Sequence, residues 1–143
     1  MSRKPLLAAA LLSVATTVVT TAVSLRHPDL PDEPLGLRFP GDVRVHLALG
    51  LGSGVAAPWP MPLIALVAAL KDGPGRVGPA RTCAAIGATM LVGTVAEPAS
   101  WGLRPRSDAA RLTVVLHLLS GSALFLAATL RRPEAGVDSR VQP

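Results

Sequence analysis

Residues 112–130 read LTVVLHLLSGSALFLAATL, nineteen positions with no formal charge and a single histidine, His117. A helix rises about 1.5 Å per residue and the hydrocarbon core of a bilayer is about 30 Å thick, so a run of this length and composition suits a crossing of lipid. Three similar runs lie upstream: Thr82 to Gly102 with one carboxylate, Glu97; Val45 to Leu70 with no charge; and Pro5 to Leu25. Lipid offers no water to pair with backbone amides, so helices are expected rather than an open sheet. The predicted fold is all-α, an integral membrane four-helix bundle with helices at about 5–25, 43–71, 79–101 and 108–131 in one domain. A disordered tail is expected at 133–143.

Half of the residues are hydrophobic and only 16% are charged, too few polar residues to cover a water-soluble globule. The segments between the runs are short and leave no room for a separate catalytic domain. The net charge of +5 comes from arginines at helix ends and connectors, not from one basic face, so no nucleic-acid partner is expected. Arginine exceeds lysine, alanine and proline are abundant and tyrosine is absent, a composition that fits a GC-rich bacterial genome. The lone Cys83 excludes an internal disulfide and reads as a small packing residue.

Lysine and arginine set the predicted threading. Arg3, Lys4, Lys71, Arg76, Arg81, Arg131, Arg132 and Arg140 put eight on one side; Arg26, Arg38, Arg44, Arg104, Arg106 and Arg111 put six on the other. The excess places both termini in the cytoplasm of a multi-pass protein of the cell membrane. An alternative treats the first run as a secretory signal cut near Ala22 or Ser24. Signal apolar regions span about 7–15 residues, and this run is longer, which favours a retained helix.

Small and hydroxyl side chains recur along the first run at Ala9, Ser13, Thr17, Thr20 and Ser24, three or four residues apart. Close backbone approach drives helix association in lipid, so this stripe is expected to face protein; a polar pathway is the alternative. The connector from Arg26 to Arg44 holds Pro28, Pro31, Pro34 and Pro40 with several acids, and reads either as a solvated connector or as a partner-binding segment. In the second run Gly50 and Gly54 give a GxxxG packing spacing. The following Pro58-Trp59-Pro60-Met61-Pro62 predicts a helix broken at about Ala57 to Met61. Such a break either marks a binding site or sits at the interface, with Trp59 as an anchor. Trp101 is the expected anchor of the third helix, Ser107-Asp108 caps the fourth, and Gly121 is a packing position on it.

One constellation carries potential chemistry. Glu97 lies past the middle of the third helix and His117 before the middle of the fourth, so opposite chain directions bring them to similar depth, with His46 on the same side. A charged carboxylate in lipid costs about 2.5–3.5 kcal/mol at the helix centre, so Glu97 should face the interior with His117 as its partner. Pro98 cannot donate to the Thr94 carbonyl, which predicts a kink and a free acceptor close by. Glu97, His117, His46 and Thr94 then form either a structural hydrogen-bonded pair with neighbours, or a pocket for a proton, a cation or a small polar ligand. Zinc at His46, Glu97 and His117, or haem between the two histidines, is chemically conceivable, but no local ligand spacing supports either, and no metal or cofactor is predicted. No Ser-His-acid set, phosphate loop or redox pair occurs. The expected role is a packing, assembly or regulatory subunit in the lipid bilayer, self-associating or bound to a larger membrane protein. The alternative is a small transporter or proton relay using Glu97 and His117, with an embedded enzyme third.

Overall fold

The computed structural model describes residues 4–26, 40–49, 56–97 and 108–131. Their regular elements are all helices, without a strand among the described residues: α1 Lys4–Arg26, α2 Val43–Leu49, α3 Pro60–Leu70, α4 Gly78–Ala96 and α5 Asp108–Thr129. Gly50, Gly54, Pro98, Trp101, Ser107, most of the proline-rich connector and the tail 133–143 lie outside the described residues. Two helices, α1 and α5, are long and apolar enough to cross a membrane. At 19 residues α4 has comparable length, but its threonines, glycines and Arg81 lower its apolar content.

The second run is two helices rather than one. α2 has seven residues and α3 eleven, about 10 and 16 Å long, so neither reaches across about 30 Å of hydrocarbon by itself. α2 starts where Asp42 Oδ1 accepts the backbone N–H groups of Arg44 and Val45, each at 2.9 Å, as a capping carboxylate does. α3 starts at Pro60, whose missing N–H is no loss in a first turn.

The third helix, expected to reach Trp101, ends at Ala96. Glu97 is extended, with ψ at 123°, because the ring of Pro98 crowds the residue before it out of the α region. The predicted kink at Pro98 lies outside the described residues.

α1, α3, α4 and α5 pack as a closed ring, α1 on α3, α3 on α4, α4 on α5 and α5 on α1. An apolar cluster of Leu6, Ala9 and Ala10, Ala65, Ala68 and Ala69, Cys83, and Leu124 and Ala128 unites the start of α1 and α4 with the end of α3 and α5. Val23 packs on Ala110 at the other end. Neighbours in the ring are thus antiparallel, and the start of α1 and the end of α5 share one end of the molecule.

The tightest seam joins α4 to α5. A Cβ added at Gly87 would stand 2.7 Å from the Phe125 nitrogen and 2.9 Å from the Gly121 carbonyl oxygen; one at Gly121 would stand 3.3 Å from Met90 Cβ. Two glycines facing each other let these backbones touch. Across the bundle, Ser13 Oγ donates to Met90 Sδ at 3.5 Å, which puts Ser13, Met90 and Gly121 at one level.

Among the described residues the large apolar side chains lie mainly on the surface, and the buried positions are mostly small or hydroxyl-bearing. Eighteen large hydrophobic side chains are exposed, among them Leu11, Val19, Ile64, Val92, Leu119 and Leu130, whereas only Leu6, Leu47, Met90 and Leu124 of comparable size are buried among the described residues. The interior holds instead Ser13, Thr16, Thr17, Thr20, Ser24, Thr113, Ser120, Glu97 and His117.

Candidate functional site

Polarity changes along the bundle at the level of Ser13, Met90 and Gly121. Towards the ends carrying Lys4 and Thr129 the core is Leu6, Ala10, Cys83 and Leu124; towards Arg26 and Asp108 it is hydroxyls, His117 and Glu97. This polar half of the core is the candidate site.

Its hydroxyls turn onto their own helices. Thr17 donates to the Ser13 carbonyl at 3.0 Å, Thr20 to Thr17 at 3.3 Å, Thr113 to Ala110 at 2.6 Å, Ser120 to His117 at 3.4 Å and Thr94 to Met90 at 2.8 Å. Each donor is satisfied within three or four residues, so these side chains act as compact spacers that need no water or partner helix. Ser13 and Thr17, singled out as packing positions, are fully buried here, so the stripe of α1 is used inside the ring.

His117 is buried on α5, and its Nε2 accepts the backbone N–H of Ala57 at 3.3 Å. The acceptor nitrogen carries no proton, which makes the imidazole neutral with its hydrogen on Nδ1. The bond completes the accounting of the broken run. Pro58, Pro60 and Pro62 have no N–H, so only Ala57, Trp59 and Met61 need acceptors between 57 and 62. Trp59 donates to the Leu47 carbonyl at 2.9 Å and Met61 to Pro58 at 3.1 Å, leaving Ala57 to the imidazole. The alternation of prolines halves the number of freed donors, and each remaining one is paired.

Register places the other candidates. Met90 faces Gly121; four residues on along α4 and four back along α5 stand Thr94 and His117, so these two share a level. Glu97, three residues beyond Thr94, lies about one turn nearer the α4–α5 connection. It is buried, and its backbone N–H donates to Gly93. His46 sits on α2 with its ring against Gly41, where an added Cβ would come 2.7 Å from Nε2; the missing side chain leaves space for the ring, and the φ of +130° there is one that only glycine adopts readily. Its buried Nδ1 takes no hydrogen bond. Among the described residues no three His, Cys, Asp or Glu side chains are grouped to hold a metal ion. Trp59 is half-buried just before α3, two residues after the Ala57 amide that meets His117.

Reasoning from sequence missed a second polar group. Asp72, after α3, is buried, and Arg131, after α5, reaches it at 2.7 Å from Nη1 to Oδ1. The guanidinium hydrogens point elsewhere, from Nη1 to the Arg76 carbonyl at 2.7 Å and from Nη2 to that of Gly73 at 2.6 Å, so the contact with Asp72 is a charge pair and not an aligned hydrogen bond. Arg131 thereby closes the α3–α4 turn against the end of α5. No protein-family model, no curated protein and no solved structure matches the chain.

Proposed function

We propose that this chain is an integral membrane protein whose α1, paired α2 and α3, α4 and α5 form four spans with both termini in the cytoplasm, and that it serves as a packing, assembly or regulatory subunit. The observation that carries this reading is the reversed polarity of the bundle. Each half-exposed Leu, Ile or Val leaves roughly 1 kcal/mol of burial unrealised in water. Over eighteen such residues that is of order 15–20 kcal/mol, as large as the whole stability of a typical domain, about 5–15 kcal/mol. Lipid removes the deficit. It also accounts for charges gathered at helix ends and for an interior in which Thr17, Thr20, Thr94, Thr113 and Ser120 donate to their own helices.

Within this reading His117 holds the broken second span together. Non-helical backbone at membrane depth survives where protein covers it, and the imidazole supplies the acceptor that Ala57 lacks. The self-directed hydroxyls support a structural interior over a proton path. Because the α1 stripe is used internally, association with a second copy or a larger membrane protein falls to the outer apolar faces.

The test reconstitutes the purified chain in liposomes beside H117A and E97Q. A structural interior predicts no proton flux above that of protein-free vesicles, and reduced stability for H117A. A flux abolished by either substitution in an intact protein would establish the relay instead. Recovery from membranes washed at alkaline pH, with release only by detergent, tests membrane integration; recovery in the aqueous fraction would refute it.

A further inference from the structure

Beside the Arg131 latch, a cavity of about 250 Å³ opens between the start of α4 and the end of α5. Arg76, Arg81 and Arg131 line its rim, and Ala80, Ala84 and Ala128 line its apolar part. Three cations therefore stand at the helix-end boundary of an otherwise apolar surface, above a recess that small side chains keep open. With Lys71 on the same turn and Asp72 as the buried counter-charge, the local balance is four positive groups against one negative. The guanidinium of Arg81 is exposed and makes no hydrogen bond or ion pair among the described residues. Val77 at the start of α4 provides no side-chain cap, so first-turn N–H groups add partial positive charge on the same side.

We infer that this cavity binds the phosphate of an anionic phospholipid, held by Arg76 and Arg81, with the start of an acyl chain against Ala80, Ala84 and Ala128. The inference rests on the membrane reading above. Charge complementarity selects the phosphodiester, since guanidinium forks match its paired oxygens, and the apolar part beside them selects a lipid over free phosphate. Arg131 is committed to the Gly73 and Arg76 carbonyls and to Asp72 and fixes the turn that carries Arg76, whose own Nη1 donates to the Lys71 carbonyl at 3.3 Å.

The experiment is native mass spectrometry of the full chain released from mild detergent doped with equal phosphatidylglycerol and phosphatidylcholine, for the parent and for R76Q/R81Q. Each interfacial arginine is worth about fivefold in affinity for an anionic surface, so the parent should retain phosphatidylglycerol preferentially and the double variant should lose about 30-fold of that preference. Excess inorganic phosphate should leave the lipid bound. Equal retention of both lipids by the parent, an unchanged preference in the double variant, or displacement by phosphate at modest concentration would each overturn the lipid site. A chain that stays soluble without detergent would instead overturn the membrane reading, so the two failures are separable. Unaltered thermal unfolding of R76Q/R81Q shows that any loss belongs to binding.

Discussion

Gly87→Ala isolates the contact that holds α4 against α5. In a helix interior this substitution ordinarily gains up to about 1 kcal/mol from lower backbone entropy in the unfolded chain. Here the new methyl would meet Phe125 N at 2.7 Å and Gly121 O at 2.9 Å, both backbone atoms that cannot rotate away. Reaching ordinary van der Waals distance requires the helices to part by more than half an ångström along a seam where, in lipid, close packing supplies the attraction. Gly93→Ala on the same helix meets nothing within 4 Å and carries the same propensity gain, so the difference between the two variants measures the clash alone. Overpacking of this kind costs about 1–3 kcal/mol. Gly121→Ala should fall between them, its methyl 3.3 Å from Leu91 Cγ and Met90 Cβ, a tight contact rather than the overlap at Gly87. Unfolding in detergent titrated with sodium dodecyl sulfate, followed by circular dichroism, reads the order: Gly93→Ala at or above the parent, Gly121→Ala next and Gly87→Ala lowest. Gly87→Ala as stable as Gly93→Ala would refute the packing of α4 on α5.

Arg131→Gln should destabilise the fold by about 3–5 kcal/mol by stranding the buried Asp72, and adding Asp72→Asn should recover most of it; the same unfolding assay checks both. H117A should lose about 1–3 kcal/mol and speed amide exchange in a peptide covering 56–59 while leaving α4 protected, as seen by exchange mass spectrometry. Cys83, fully buried with its thiol donating to the Ala65 carbonyl at 3.4 Å, should resist a maleimide in the folded protein and react once denatured; labelling of the folded chain would contradict the core.

Elements whose causes are local were readable from sequence. The hydroxyl spacing from Ser13 to Ser24 lies on one helix face whatever surrounds it, and three alternating prolines break a helix in any context. Pro98 acts on the residue before it and not only on the hydrogen bond it fails to make, so Glu97 leaves the helical region. What stayed hidden depends on pairings over long sequence distance. The imidazole of His117 reaches an amide 60 residues away, and the seam at Gly87 needs a second glycine, Gly121, placed opposite by the antiparallel course of α5. Arg131 read as a topology signal because nothing near it in sequence hints at Asp72. Glu97 stood out as an intramembrane acid, and the register sets it about a turn beyond the level shared by Thr94 and His117.

Threading is the central claim, and single-cysteine labelling tests it directly. With Cys83 replaced by alanine, cysteines introduced one at a time for Asp32, Gly73, Ser107 and Gln142 are exposed in intact cells to a membrane-impermeant thiol reagent. Four spans with cytoplasmic termini predict labelling at positions 32 and 107, and at 73 and 142 only after the membrane is opened. Labelling of positions 32 and 73 from the same side, or of all four in intact cells, would contradict the account.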